Sequence, residues 1–176
     1  TVPEPLNEDV AWRIGNATAQ FLRTTLVGYD RSDSKMNTLI VGRDMRKHSP
    51  RLSRAFIEGA AAVGTPVIDI GMIDTPQIYF AANYMPCCGG VQTTASHNPA
   101  EYNGFKICGV KGKPIGAETG LKEIERIAKA ISRHQVGDVS GQIRTVDLSE
   151  PYRAFLHKFL REPRPLKVVI DASNGM

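Results

Sequence analysis

At 176 residues the chain suits one domain with its own core, with little left for a second, on the rule of roughly 100 to 200 residues per domain. A hydrophobic share of 41% and a charged share of 23% exclude a disordered or fibrous chain, and no apolar run approaches the ~18 residues that span a bilayer. The net charge of +4 is scattered along the chain rather than gathered into a stripe, which argues against a nucleic-acid partner and leaves room for a small anionic substrate.

The opening TVPEPLNED has no basic segment followed by an apolar stretch, so no signal peptide is expected. Three cysteines, Cys87, Cys88 and Cys108, give an odd count without CxxC spacing, which predicts reduced thiols rather than a disulfide framework or a cysteine metal site. The expected compartment is the cytoplasm.

In chain order, apolar residues recur at three and four positions over residues 9–27 (Val10, Ala11, Ile14, Ala17, Phe21, Leu22), predicting an amphipathic helix with Asn7 or Asp9 as cap. TLIVG, residues 38–42, predicts a short buried strand, and GRDMRKHS the loop after it. Ser49-Pro50 predicts a helix start with the serine as cap and the proline in the first turn; Gly64 is the stop. PVIDIG at 66–71 repeats the strand signature, and Thr75-Pro76 repeats the cap of a helix reaching Tyr84. GGVQTTAS and GFKICG predict a third and a fourth strand, and TGLKEIERIAKAI a helix with Leu121, Ile124, Ile127, Ala128 and Ile131 on one face. After the polar linker GDVSGQ, residues 148–160 predict another helix, REPRP breaks the chain, and LKVVID begins a fresh strand. Strands alternating with helices predict an α/β fold: a layered α/β/α domain on a mostly parallel, mixed four-stranded sheet, with ligands at the carboxyl ends of the strands.

The run TTASHNPAEYNGFKI, residues 93–107, follows the third strand and cannot be core. It places Ser96 and His97 in a loop on the ligand side, stiffens it at Asn98-Pro99, turns at Asn103-Gly104 and returns Lys106 on the next strand. Adjacent residues of an extended segment point to opposite sides, so His97 is poorly placed to take the proton of Ser96 directly, and no GxSxG supports a serine hydrolase. A serine that carries a phosphoryl group fits better, because a phosphate dianion calls for lysine, arginine and loop amides around it. The competing reading is a hairpin turn in which Asn-Pro and Asn-Gly do only backbone work. Arg43 is a candidate to support the loop; Arg46, Lys47 and His48 read as solvated, and Asp44 and Asp74 as turn or cap residues.

This run closely resembles the phosphoserine loop of the α-D-phosphohexomutase superfamily, the phosphoglucomutases and phosphomannomutases. The resemblance extends in order through VGRDMRKHSP and VIDIGMIDTPQIYFAAN and so covers nearly the whole chain. It implies a first domain at residues 1–140, a connecting helix and linker at 141–165, and the opening strand of a second domain at 166–176, with domains II to IV lying outside this chain. It further implies a phosphoryl shuttle that interconverts hexose 1-phosphate and hexose 6-phosphate through a bisphosphorylated sugar. Carried over by position, Ser96 would be the phosphoserine and, through a phosphate oxygen, one ligand of Mg²⁺. Lys106 and His97 would serve proton transfer to and from the sugar hydroxyl, with Arg43, Asn98 and Asn103 supporting the loop. Hexose 1,6-bisphosphate would be the activator and a phosphosugar the substrate.

The resemblance also implies what this chain does not supply: an arginine from a YDIRG-like segment, and the remaining metal ligands of a DxDxDR loop. The chain alone is therefore expected to be inactive. A non-catalytic phosphate-binding or scaffold domain and a phosphopentomutase-like relative are the alternative readings. An ATP-using kinase is the weakest, because GVKGKP bears only a superficial likeness to a Walker loop: it is too short, and Pro114 stands where serine or threonine is required.

Overall fold

A computed structural model of the chain describes residues 6–24, 34–132, 138–160, 162 and 164–171. Helix α1 (Glu8–Thr24) starts where Asn7 Oδ1 accepts from the Val10 amide at 2.9 Å. Glu8 and Asp9 in its first turn and Arg23 in its last complement the helix dipole. Strand β1 (Leu39–Arg43), helix α2 (Ser49–Ala61), strand β2 (Val67–Met72), helix α3 (Thr75–Tyr84) and strand β3 (Gly89–Thr93) follow in strict alternation. Strand β4 (Phe105–Gly109), helix α4 (Lys122–Ala130), strand β5 (Ile143–Thr145) and helix α5 (Ser149–His157) complete the fold.

The sheet has the order β4-β3-β1-β2-β5, with β4 antiparallel to β3 and every other pair parallel. It holds five strands where the sequence predicts four. The added strand, β5, is three residues of Ile-Arg-Thr at an edge, within the segment read as connecting chain; too short for any periodicity, it forms by pairing with residues 67–69 of β2.

Alternation along the strands builds two cores. Leu39, Val41, Val67, Val91 and Ile107 face α1, α2 and α4, packing on Phe21, Leu22, Phe56 and Ile124. Ile40, Ile68 and Cys108 face the other side, against Ile78 and Ala81 of α3 and Leu148 at the start of α5. Helices α1 and α2 meet backbone to backbone: a Cβ at Gly15 would lie 2.0 Å from the Phe56 carbonyl oxygen, and one at Gly59 would lie 2.0 Å from that of Trp12. That contact seats α2, and with it the loop leading out of β1.

Two helix starts differ from the sequence reading. α3 is capped by Asp74, a turn or cap residue as read, whose Oδ1 accepts from the Gln77 amide at 3.0 Å, and not by Thr75, which is the first helical residue. α2 has no side-chain cap, because the Ser49 hydroxyl is engaged elsewhere. α5 docks on α3 through a chain of rings: Phe80 lies 5.2 Å from Tyr152 and 5.1 Å from Phe155. Residues 166–171 carry no regular structure, and Val169 is 97% exposed.

The chain leaves β1 through α2 to reach β2 on one side, then returns through α3 on the opposite face to reach β3 on the other side of β1. The carboxyl ends of β1 and β3 therefore flank a topological switch point, where open α/β sheets bind ligands. Arg43-Asp44 and Thr93 to Ser96 sit there.

Candidate functional site at the carboxyl ends of β1 and β3

Residues 94–104 form the loop between β3 and β4, closed at its base by the Thr94 amide donating to Gly104 O at 2.9 Å. Inside it, Asn98 donates to Ala95 O from both its amide and its side chain at 3.1 Å, and the Ser96 amide donates to Thr94 Oγ1 at 3.0 Å. Ser96 is exposed and takes a left-handed backbone, φ +56°, which L-residues adopt at a cost. Lys106 extends from β4, where it pairs with Gln92, and its Nζ donates to Ser96 Oγ at 3.3 Å. The hydroxyl and the ammonium foreseen from the sequence thus converge. His97 is exposed at the loop tip, and among the described residues its ring has no hydrogen-bond partner.

The support of this loop comes from residues that the sequence reading set aside. Arg46, expected in solvent, has a side chain only 11% exposed. Its Nη1 donates to Pro99 O at 2.6 Å and Tyr102 O at 3.3 Å, and its Nη2 to Ser96 O at 3.0 Å and Asn98 O at 2.7 Å. Its Nε donates to Asp44 Oδ2 at 3.2 Å. Asp44 is buried, and its Oδ1 accepts from the Arg46 amide at 3.0 Å and from the Ser49 hydroxyl. The Ser49 oxygen in turn accepts from Asn103 Nδ2 at 2.9 Å, joining the other end of the loop to the same network. Asp44 is a turn residue, as read, with the further task of holding Arg46. Arg43, the arginine favoured from the sequence, donates to Asp44 O at 3.5 Å, and Asn103 Oδ1 accepts from the Gly104 amide at 2.9 Å.

Chemically, the loop offers an accessible oxygen nucleophile beside a cation, on a backbone fixed from behind. Arg46 and Asp44 neutralise one another, which leaves the Lys106 charge facing Ser96. Among the described residues no group of three His, Cys, Asp or Glu side chains could hold a metal. The carboxylate nearest in the network, Asp44, is already engaged by Ser49 and Arg46.

Residues 1–135 match the family model described as phosphoglucomutase/phosphomannomutase, alpha/beta/alpha domain I. The chain belongs to this family. It is 37% identical over 175 residues to a phosphomannomutase of Escherichia coli K12, covering 98% of this chain and 36% of that protein. It is 42% identical over 126 residues to a phosphomannomutase of Klebsiella pneumoniae, covering 72% of this chain and 73% of that protein. A crystal structure of a phosphoglucomutase/phosphomannomutase family protein from Burkholderia thailandensis superposes with a TM-score of 0.77 at 31% identity, over 99% of this chain and 37% of that one. The chain thus spans about 36% of the length of the curated relatives first matched. As a phosphoglucomutase/phosphomannomutase domain I, it places the SHNP loop at the switch point of its sheet.

Proposed function

We propose that this chain carries the phosphoserine half of a phosphohexomutase that interconverts hexose 1-phosphate and hexose 6-phosphate. The observation that carries this reading is the contact of Lys106 Nζ with Ser96 Oγ, 3.3 Å, at the switch point of the sheet. With Ser96 phosphorylated, a sugar hydroxyl oxygen bonds to phosphorus as the P–Oγ bond breaks. Lys106 gives the leaving Oγ a proton, and the proton released by the sugar hydroxyl restores the ammonium. His97 is the second candidate to accept that proton. The product is a hexose 1,6-bisphosphate, which turns and returns its other phosphoryl group to Ser96 by the same step reversed. Phosphoryl transfer asks mainly for positioning and charge neutralisation, which is what this loop is built to supply.

Mg²⁺ would be held through an oxygen of the Ser96 phosphate and would neutralise charge there; among the described residues no group of three His, Cys, Asp or Glu side chains could complete its site. The buried free thiols suit a reducing cytoplasm. The test uses the whole protein that contains this chain, incubated with Mg²⁺ and hexose 1,6-bisphosphate carrying labelled phosphoryl groups. Label mapped to Ser96, and lost in Ser96→Ala, is expected. A folded, metal-replete protein with no label, shown to carry no prior phosphate at Ser96, would leave a phosphate-binding scaffold as the function.

A further inference from the structure

The geometry points to Arg46 as the positioning residue of the transfer step, an inference that rests on Ser96 being the phosphoryl carrier. A guanidinium has five N–H donors. In Arg46 all five are taken: Nε by Asp44, two on Nη1 by Pro99 O and Tyr102 O, and two on Nη2 by Ser96 O and Asn98 O. No donor is left for a phosphate. Arg46 therefore acts on the reaction through the loop backbone, and its contribution is orientation rather than direct charge contact.

What it orients follows from peptide geometry. In a trans peptide the carbonyl of one residue and the N–H of the next point in opposite directions, and the described chain has no cis bond. With the carbonyls of Ser96, Asn98, Pro99 and Tyr102 drawn onto Arg46, the amides of His97, Ala100 and Asn103 are turned away from it. The fourth peptide ends in Pro99, which has no N–H to expose. Among the described residues none of these three amides has a protein acceptor. One largely enclosed guanidinium thus gathers the negative ends of four peptide dipoles on its own side. It leaves their positive ends on the loop's outer side, and through the Ser96 carbonyl it adds a tie to the left-handed turn that the Asn98 bonds to Ala95 close and that sets the Ser96 hydroxyl against Lys106. Asp44, held by the Ser49 hydroxyl, locks the guanidinium plane, and Asn103 ties the far end of the loop to that same hydroxyl.

The test is made in the whole protein with a hexose phosphate as substrate. Arg46→Lys keeps the charge but offers three donors from one point, which cannot span four carbonyls. Its kcat is expected to fall about 100-fold, the scale of a small misplacement of reacting groups, with KM within about 3-fold of the unsubstituted protein. Arg46→Ala is expected to regain at least about 10-fold of its lost kcat on adding non-denaturing guanidinium ion, and nothing on adding methylammonium. Asp44→Asn, a second variant should Arg46 changes unfold the protein, is expected to lower kcat about 10-fold. Amide exchange at Asn98 and Tyr102 is expected to quicken in all three. Unchanged kcat in Arg46→Lys, or a folded Arg46→Ala indifferent to guanidinium, overturns the inference. Should the unsubstituted protein take no phosphate at Ser96, the shuttle reading fails on its own. Unchanged amide exchange in the variants would then overturn the positioning role independently.

Discussion

Two segments of this domain put a non-glycine residue at the same backbone angle, φ +56°: Ser96 in the loop after β3, and Lys111 in the turn after β4. Both segments are glycine-bearing and cationic, and both drew notice in the sequence, one as a phosphoserine loop and one as a Walker-like GVKGKP. The turn at Lys111 is self-contained: the Gly109 amide donates to Lys113 O at 2.8 Å, the Lys113 amide to Val110 O at 3.4 Å, and Gly112 follows at φ +71°. The loop at Ser96 has turn bonds of its own, Asn98 to Ala95 and Tyr102 to Pro99, and in addition four of its carbonyls are gathered by one side chain placed 50 to 56 residues earlier in the chain. Strain that local turn bonds account for needs no further reason. The convergence of four loop carbonyls on one distant, fully bonded guanidinium does, and it marks the site.

The comparison predicts its own largest break. Ser96→Ala in the whole protein should bring phosphoryl incorporation to background, while Lys111→Ala should leave it unchanged; peptide mapping after labelling reads both. Next in size is the charge beside the hydroxyl. Lys106→Met should lower the transfer rate about 100- to 1000-fold, the usual cost of removing one donor from a developing oxyanion. Lys111→Met and Lys113→Met should each leave it within about 2-fold, since exposed side chains of a locally bonded turn carry no such task. Equal losses at Lys106 and Lys111 would dissolve the distinction between the segments.

Alkaline pH tests the end of the β3–β4 hairpin that lies away from Ser96. Burial pushes the Cys87 and Cys88 thiols up to about 12 and Cys108 up to about 11, from an ordinary value of 9.0. The folded state therefore favours the protonated thiols. Their contribution is complete below pH 9 and declines as pH rises toward 11 and 12, by about 1.4 kcal/mol per pH unit for each thiol at most. All three lie before β3 or within β4. Denaturant midpoints should fall steeply above pH 9 in the unsubstituted protein and less steeply in Cys108→Ala.

The parts of this site that the sequence makes legible are those written in consecutive residues. Ser96, His97, Asn98-Pro99, Asn103-Gly104 and Lys106 announce a loop and its chemistry because turn and charge preferences act over a few positions. Arg46 reads as solvated because its partners are backbone carbonyls, which every residue possesses and no pattern reveals. The position of Arg46, two after Asp44 in a loop leaving a buried strand, was the available signal, and it takes meaning only once the parallel pairing of β1 with β3 brings Asp44 beside Thr93, whose carbonyl accepts the Asp44 amide at 3.0 Å. Ser49 escapes its local rule for the same reason: a capping serine accepts a backbone amide, but here the Ser49 oxygen accepts from Asn103 Nδ2 while its hydroxyl donates to Asp44. The fold was legible further than the site, because four strands and five helices carry their own periodicity. β5, at three residues, has none to carry.

The smallest effect separates the two segments most sharply. A left-handed non-glycine residue costs about 1–2 kcal/mol, and replacing it by glycine returns that at the expense of about 0.4–1 kcal/mol of unfolded-chain entropy. Both Lys111→Gly and Ser96→Gly should therefore raise stability by about 0.5 kcal/mol, read as a shift in denaturant midpoint at unchanged slope. At Lys111 the gain should come with activity intact, because nothing depends on that side chain's conformation. At Ser96 it should come with activity abolished, because glycine relaxes the same angle while removing the hydroxyl that the angle presents. A Ser96→Gly protein no more stable than the parent would mean that the left-handed angle costs Ser96 no more than the added unfolded-chain entropy and the lost contact of its hydroxyl with Lys106 together.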